Sequence, residues 1–302
     1  MRVLISGASG LIGTELQAQL KEAGHTPVIL VRREATADNE ISWNPNTLTL
    51  DPKVMENIDA VVNLAGATTG KLPWTKQYKE ELIQSRINST KTIVQAMARS
   101  TKKPAVFISG SASGFYGDTG DTLLVETAPR GTGFLADLAV AWEREAMKAP
   151  SGVRVVEIRT TMVLSRTKGA LGRLLPLLKA GVGGKLGNGR QWWAWISLPD
   201  QARAIIHLIN TPSASGPYNI TAPEPATCKQ LVKALGKALK KPTLIPVPAF
   251  ALKLAFREGA QELLLCSQKM SSARLESTGF VFMHPTLKSA CDWVVGNESG
   301  SN

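Results

Sequence analysis

Three glycines near the start of the chain, Gly7, Gly10 and Gly13, lie between an apolar run at residues 2–6 and an amphipathic segment at 11–23. The run predicts a buried strand and the segment predicts a helix, so the glycines form the turn between them. At this spacing one glycine permits a tight turn, one lets the backbone approach a pyrophosphate, and one lets helix and strand pack closely. Unpaired N–H groups at the helix N-terminus favour phosphates. The turn therefore predicts a dinucleotide-binding site.

The same alternation of apolar strands and amphipathic helices continues along the chain. Strands are predicted at residues 2–6, 26–31, 58–64, 105–109 and 153–158. Helices are predicted at 11–23, 75–100, 134–148, 200–210 and 227–240, with a further helical segment from 245 to about 295. Continuous apolar strands separated by helices indicate a parallel sheet covered on both faces. We therefore expect an α/β fold, a Rossmann-type doubly wound parallel sheet with a smaller, mostly helical C-terminal region on the substrate side.

This pattern divides the chain into two predicted parts. Residues 1–165 form the dinucleotide-binding Rossmann domain, with a contribution from 195–222, and residues 166–298 form the substrate-side and C-terminal region. The final residues, NESGSN, predict a frayed tail.

The end of the second predicted strand selects between dinucleotides. Folds of this type that bind NAD usually place an acidic residue there, which accepts a hydrogen bond from the ribose 2′-hydroxyl. Here the strand ends in Val31-Arg32-Arg33, and two guanidinium groups suit a 2′-phosphate by charge and by bidentate geometry. We therefore predict NADP(H) as the cofactor. Glu34 follows directly and keeps NAD open as the alternative.

Composition argues against several other classes of protein. No apolar run in the 302 residues approaches the roughly 20 residues of a membrane-spanning helix, and the N-terminus lacks the long apolar core and cleavage site of a signal peptide. We therefore expect a cytoplasmic protein without a membrane partner. Three widely spaced cysteines and three histidines without metal-ligand spacing predict no metal site and no disulfide framework.

The net charge of +11 raises the question of an anionic partner. The lysines and arginines look scattered, and the densest short runs, Lys102-Lys103 and Lys240-Lys241, each precede a proline where a helix is expected to end. Cations at helix C-termini are the usual complement of the helix dipole, so we predict no nucleic-acid partner. A phosphate-rich cofactor or small-molecule substrate explains part of the charge, and a homodimer stays open as the assembly.

Several motifs resemble those of a known superfamily. GASGLIG at residues 7–13, NLAG at 63–66 and SGSASGFYG at 109–117 resemble the extended short-chain dehydrogenase/reductases. FLADLAVAWE, the glycine-rich run through QWWAWI, YNITAPEP and PVPAFALKLAF are similar to an atypical subfamily described as sugar-nucleotide epimerase-like or cell-division-inhibitor-like. The resemblance implies an NADP(H)-binding oxidoreductase or epimerase-like protein that acts on a carbonyl or nucleotide-sugar-type substrate.

The resemblance also implies cofactor contacts by position. Gly7, Ser9, Gly10, Leu11 and Ile12 would contact the pyrophosphate and adenosine side, Arg32 and Arg33 the 2′-phosphate, Leu64 and Ala65 the adenine-ribose side, Glu81 and Arg86 other polar parts of the cofactor, and Met162 the neighbourhood of the nicotinamide. For Arg86 the alternative is a surface ion pair with Glu81, although a spacing of five residues is not the usual pairing distance in a helix.

The catalytic part of the resemblance is incomplete. Ser111 matches the catalytic serine, but the helix that should begin with Tyr-x-x-x-Lys reads Phe134-Leu135-Ala136-Asp137-Leu138. In the superfamily that tyrosine is the general acid and base. Tyr116 is the substitute proton donor or, alternatively, a packing residue of its loop. The alternative function is therefore a catalytically inactive NADP(H)-binding regulatory or interaction protein.

Two features of residues 190–200 have two interpretations each. Trp192, Trp193 and Trp195 either line the substrate cleft or anchor the C-terminal region, and three tryptophans in four positions are too many for one face of one element. The subfamily pattern W-I-H-x-D-D is replaced by WISLPD, in which Asp200 either caps the following helix or belongs to the site.

Overall fold

A seven-stranded parallel sheet is the centre of the computed structural model, which describes residues 1–166, 168–169 and 171–296, without the side chain of Arg173. The strands of the protein are β1 (Arg2–Ser6), β2 (Thr26–Val31), β3 (Glu40–Ser42), β4 (Ala60–Asn63), β5 (Val106–Ala112), β6 (Leu123–Leu124), β7 (Arg154–Thr160), β8 (Met162–Leu164), β9 (Trp195–Ser197), β10 (Gly216–Ile220) and β11 (Lys269–Met270). The order in the central sheet is β10-β7-β5-β4-β1-β2-β3. Two small sheets pair β11 with β6 and β8 with β9. The tail predicted at 297–302 lies outside the described residues.

Helices cover both faces of the central sheet. They are α1 (Leu11–Glu22), α2 (Lys76–Arg99), α3 (Phe134–Ala146), α4 (Leu171–Lys179), α5 (Leu198–Asn210), α6 (Cys228–Leu239), α7 (Ala249–Phe256), α8 (Glu258–Ala260), α9 (Ala273–Glu276) and α10 (Leu287–Val295). Every neighbouring pair of strands in the sheet is parallel. The predicted α/β, Rossmann-type doubly wound fold is therefore confirmed. Within the described ranges, no helix has the length and apolar character needed to cross a membrane.

Apolar side chains form three main cores around these layers. One lies between the sheet and α1 and α5, and includes Leu16 and Leu208. Another lies under α2, with Ile93 and Met97. A third core packs α4, α6 and α10 together around Trp195. The third core contains no strand of the central sheet, and its helices come from the C-terminal half of the chain. The domain boundary near residue 165 stays a prediction.

Several stretches of the C-terminal half differ from the sequence prediction, and two of them contain strands that pair with earlier parts of the chain. The turns expected between 210 and 227 include β10, which pairs in parallel with β7 and extends the sheet. The helical segment expected from 245 to about 295 is interrupted by β11, which pairs with β6. Helical periodicity did not show either strand, because each depends on a partner that is remote in sequence.

Candidate functional site

The glycine turn has the geometry that its spacing predicts. Gly7 has a φ of +70°, and a Cβ there would lie 2.6 Å from the backbone of Leu64. A Cβ at Gly13 would lie 2.4 Å from the carbonyl oxygen of Gly7, so that glycine is required for helix and turn to pack. Gly10 is exposed, and a Cβ there would meet only the Gly7 oxygen, at 3.1 Å. Gly10 therefore leaves the backbone open to a ligand.

The N-terminus of α1 is prepared for an anion. Its N-cap residue is Gly10, no side chain caps it, and its first turn carries no acidic residue. Ser9 is exposed, and Leu11 and Ile12 are half-buried beside the turn. The positive end of the helix dipole and the unpaired N–H groups therefore face outward at the carboxyl edge of the sheet. A pyrophosphate fits this position.

The two arginines at the end of β2 differ in whether an acidic side chain pairs with them. Arg33 donates hydrogen bonds to both carboxylate oxygens of Glu40, at 2.8 and 2.6 Å. The guanidinium holds the pKa of Glu40 down at about 2. Arg32 is exposed, and within the described part of the chain it has no ion-pair partner. Arg32 is consequently the cation at this strand end that is available to a ligand.

A second cation lies at the end of β4. Arg86 on α2 donates to the carbonyl of Leu82 at 3.0 Å, and its Cζ lies 5.2 Å from the ring centre of Trp142. A Cβ at Gly66 would lie 3.1 Å from that Cζ. Burial lowers the pKa of Arg86 to about 10. The guanidinium therefore borders the segment that follows β4.

No carboxylate pairs with Arg86 among the described residues. The alternative ion pair with Glu81 is not formed: Glu81 is exposed, and among the described residues its side chain makes no hydrogen bond or ion pair. Leu64 and Ala65 are half-buried next to Gly66. A half-buried cation without a counter-ion is stabilised when a ligand supplies one, so this position suits an anionic group of a ligand.

Met162 and the tryptophans lie beyond the end of β7. Met162 begins β8, and its N–H donates to the carbonyl of Ala194 at 3.1 Å. Trp193 and Trp195 are buried in the C-terminal core. Trp192 points elsewhere, and its Nε1 donates to Asp121 at 2.7 Å. Two of the three tryptophans therefore anchor the C-terminal region, as one of the two interpretations expected.

Asp200 is neither the helix cap nor an accessible group. Ser197 is the N-cap of α5, and its hydroxyl accepts from the Asp200 N–H. The Asp200 carboxylate is fully buried and accepts from the backbone N–H groups of Met283 and His284, at 2.7 and 2.8 Å. Asp200 thus attaches the C-terminal segment to α5. The prediction of an Asp200 cap is wrong by three residues, because a serine precedes the helix and takes that position.

The candidate catalytic residues Ser111 and Tyr116 belong to a buried polar network. Ser111 is 4% exposed, and its hydroxyl donates to Oε1 of Glu143 on α3 at 2.6 Å. Arg159 on β7 donates to both oxygens of the same carboxylate, at 2.9 and 3.0 Å. Its third nitrogen donates to the Tyr116 hydroxyl at 2.8 Å. The tyrosine hydroxyl in turn donates to Asn219 at 2.7 Å.

Tyr116 does not have the position of a proton donor to a substrate. Its side chain is fully buried, and its hydroxyl is held between Arg159 and Asn219. Burial raises its pKa, which keeps the phenol neutral. The hypothesis of Tyr116 as substitute acid is therefore corrected, and the alternative of a packing residue describes it. Ser111 remains near the carboxyl edge of the sheet, but its proton is directed to Glu143.

Apolar packing fills the places of the missing tyrosine and lysine. The ring of Phe134 lies 5.4 Å from that of Trp74, and Leu138 is buried in the same cluster. The carboxylate of Glu262 accepts from the N–H groups of Phe134 and Leu135, both at 2.7 Å. The N-terminus of α3 is thus capped by an acidic side chain from the C-terminal segment. Neither replaced position offers a group that transfers protons.

A cavity of about 240 Å³ opens beside this end of α3. It lies between the loop after β5, the start of α3 and the C-terminal segment. Its polar lining consists of Asp118, Thr132, Gln261, Glu262, Cys266 and Gln268. Burial raises the pKa of Cys266 to about 12, so its thiol stays neutral and is a poor nucleophile. Within the described residues no cluster of His, Cys, Asp or Glu has the arrangement of a metal site.

Sequence patterns did not point to Glu143, Asn219 or Glu262. Each acts through a partner that is far away in the chain, up to 128 residues in the case of Glu262 and Phe134. One signal was present: Glu157 and Arg159 occupy alternate positions in the buried part of the strand RVVEIRT. Two charges on one face of a buried strand indicate a polar network behind it.

Comparison with known proteins decides the family. The NAD dependent epimerase/dehydratase family model matches residues 3–221. The chain belongs to this family. A second model, a domain of unknown function called DUF1731, matches residues 247–294. The resemblance inferred from the sequence motifs is confirmed at this level.

Individual family members are similar over most of the chain. An epimerase family protein of Mycobacterium bovis is 42% identical over 289 residues, 95% of each chain. The crystal structure of a human epimerase family protein with NADPH has a TM-score of 0.92 and 28% identity, and covers 98% of this chain and 100% of that one. A nucleoside-diphosphate sugar epimerase of Corynebacterium glutamicum has a TM-score of 0.80 and 33% identity, with 98% of this chain and 58% of that chain covered.

Proposed function

We propose that this epimerase-family protein binds NADP(H) across the carboxyl ends of β1, β2 and β4. The observation that carries the proposal is the pair of cations without acidic partners, Arg32 and Arg86, on either side of an uncapped helix N-terminus. The human relative solved with NADPH supports it. Tighter binding of NADH than of NADPH in equilibrium titrations would contradict the choice of cofactor.

Each part of this edge meets a different part of the dinucleotide. Gly10, Leu11 and the N-terminus of α1 hold the pyrophosphate, and Arg32 meets the 2′-phosphate. Leu64 and Ala65 line the adenine-ribose side, and Arg86 offers its charge to a phosphate. Met162 borders the nicotinamide. NADPH supplies a hydride when it is bound, and the residues of the chain position it and exclude water.

The activity that follows from this site is reduction or epimerisation at a carbonyl or nucleotide-sugar-type substrate. The cavity beside α3 supports this proposal, because it lies where the substrate of such enzymes meets the carboxyl edge of the sheet. A different observation favours a second candidate, an inactive NADP(H)-binding regulatory protein. Phe134 and Leu138 replace the proton-transfer pair, and the Ser111 hydroxyl is directed to Glu143.

Turnover distinguishes the two candidates. Purified protein is incubated with NADPH and a panel of ketones and aldehydes, and oxidation of the nicotinamide is followed by absorbance. It is also incubated with NADP⁺ and nucleotide sugars, and the sugar products are separated by chromatography, because epimerisation leaves the cofactor unchanged overall. Mass spectrometry of ligands that co-purify identifies the natural substrate class. Steady turnover of one class supports the enzyme, whereas tight binding of NADPH without turnover across the panel supports the regulatory protein.

Arg86→Met is expected to weaken NADPH binding by about 10- to 100-fold, because a charged hydrogen bond contributes about 1.5–3 kcal/mol. The same change should not lower the free energy of unfolding, since it removes a half-buried cation that has no carboxylate partner. Calorimetric titration and urea unfolding measure the two quantities. Arg99→Met, an exposed arginine on the same helix, is the control. If Arg86→Met loses stability and binds NADPH normally, Arg86 is structural.

Arg32→Ser should reduce the preference for NADPH over NADH by about tenfold, because one charged contact to the 2′-phosphate is lost. NADH affinity should stay unchanged. Arg33→Ser should have the smaller effect, since Glu40 already occupies both of its outer nitrogens. Fluorescence titration with both cofactors gives the ratios. A larger loss of preference in Arg33→Ser would show that Glu40 releases Arg33 to the cofactor.

A further inference from the structure

The positive charge of the protein is concentrated in one third of the chain. Residues 158–257 contain fifteen lysines and arginines and only two acidic residues, Asp200 and Glu224. The rest of the chain contains twenty basic and twenty-two acidic residues. The expectation that the basic residues are scattered is therefore corrected. The net charge of +11 lies entirely in this segment, which includes helices α4 to α7.

Exposed lysines form a stripe along α6. Lys229, Lys233 and Lys237 follow at intervals of four residues, opposite the buried face of Leu231 and Leu235. Lys185 lies beside Lys229, because a Cβ at Gly189 would lie 2.9 Å from Cδ of Lys185 and 3.1 Å from Cβ of Lys229. No carboxylate pairs with the three α6 lysines in the described part of the chain. Lys240 and Lys241 extend the stripe beyond the helix end.

The stability of the helix does not account for this stripe. Like charges four residues apart destabilise a helix, and the stripe contains two such pairs. Lys229 lies in the first turn, where the helix dipole disfavours a cation. The dipole accounts only for the lysines at the C-terminal end. The remaining lysines fit an external anionic surface.

Large apolar side chains are exposed in the segment of the chain that follows the stripe. Leu244 is 83% and Ile245 53% exposed in the loop after α6, and Phe250 is 74% and Leu254 83% exposed on α7. Phe250 and Leu254 are four residues apart and share one face of α7, whereas Leu252 is buried. Soluble proteins rarely expose neighbouring apolar groups of this size without a partner. We name these four residues the apolar edge.

The loop between α6 and α7, which carries Leu244 and Ile245, is held against the body of the protein. Leu244 forms a bridge with Gly184, and Val247 forms one with Leu186. Three prolines, at 242, 246 and 248, lie in the same stretch and restrict its backbone. Lys253 and Arg257 flank the exposed face of α7. Apolar groups and cations are thus presented together from a defined backbone.

We propose that the lysine stripe and the apolar edge bind the surface of a membrane containing anionic phospholipid. Lysines pair with lipid phosphates and carboxylates, while Leu244, Phe250 and Leu254 insert at the level of the headgroups. A nucleic acid would use the lysines but offers no place for exposed leucines. The expectation of no membrane partner rested on the lack of a spanning segment, and binding at a surface requires none.

Vesicle sedimentation tests this proposal on the full chain. The protein should partition onto equimolar phosphatidylcholine–phosphatidylserine vesicles and not onto phosphatidylcholine alone, and should be released as salt rises from about 0.1 M to about 1 M. Lys233→Gln with Lys237→Gln should weaken partition about thirty-fold, or about five-fold per cation. Leu244→Ser with Leu254→Ser should weaken it at least tenfold. Lys102→Gln with Lys103→Gln, the same charge change at exposed lysines outside the segment, should have little effect.

Four outcomes would overturn the proposal. Equal partition onto both vesicle types, or no partition onto either, excludes recognition of anionic lipid. Equal losses in the Lys233/Lys237 and Lys102/Lys103 pairs show that only the overall charge matters. Binding to a short DNA duplex or to polyglutamate, without binding to vesicles, assigns the stripe to a nucleic acid or to an acidic protein instead. Unchanged circular dichroism spectra and NADPH affinity verify that each variant is folded.

Discussion

Replacing Arg159 with methionine should lower the free energy of unfolding by about 3–5 kcal/mol. The arginine side chain is 4% exposed and donates two hydrogen bonds to Glu143. Methionine fills a similar volume but leaves the Glu143 carboxylate without a cation. The loss is mainly the cost of an uncompensated buried charge, with a further contribution from the hydroxyl of Tyr116, which loses its donor. Urea unfolding followed by circular dichroism measures the change.

Two controls separate this effect from a general loss of charge. Arg130→Met removes an arginine that pairs with Asp137 on the surface, where the two side chains are 45% and 69% exposed. That substitution should lower the free energy of unfolding by less than about 1 kcal/mol. Combining Arg159→Met with Glu143→Leu should recover much of the loss, because neither charge of this pair then remains. Similar losses in Arg159→Met and Arg130→Met would rule out a stabilising buried pair.

Local sequence was sufficient to predict the geometry of the glycine turn and of the strand end beside it. The glycine turn, the N-terminus of α1 and Arg32 all belong to one contiguous βαβ unit, so their geometry follows from residues that are close in the chain. Arg33 shows the limit of that reasoning. Its partner Glu40 is only seven residues away, but the pair forms because β3 lies beside β2. Sequence periodicity did not predict β3.

The catalytic region could not be predicted in the same way. Burial of Tyr116 depends on Asn219, which lies 103 residues further along the chain on a strand that was not predicted. The cap of α3 by Glu262 depends on how the C-terminal segment folds back over the sheet. Contacts of this range leave no periodic pattern in the sequence. The missing Tyr-x-x-x-Lys pair was visible, but what fills its place was not.

Glu157 should make the protein less stable as the pH rises from 4.5 to about 7. Burial, and then the nearby charge of Glu143, raise the pKa of this carboxyl from 4.5 to about 7. Its Oε2 is buried and lacks a hydrogen-bond partner among the described residues. Between those pH values the folded protein keeps a proton that the unfolded chain has released. The contribution to the free energy of unfolding therefore falls across this window, by about 3 kcal/mol in total.

Glu157→Gln should remove this dependence, because glutamine resembles the protonated carboxyl and does not ionise. Relative to the natural protein, the variant should gain about 3 kcal/mol of stability between pH 4.5 and pH 8. The informative quantity is how the difference in the free energy of unfolding between variant and natural protein changes with pH. Any constant effect of the new amide group is the same at every pH and therefore cancels. Urea unfolding across the pH range measures it, with Glu80→Gln, an exposed carboxyl, as the control for lost charge. A difference that stays constant with pH would mean that Glu157 is already ionised in the folded protein, and that Arg159 and Arg274 outweigh the effect of burial.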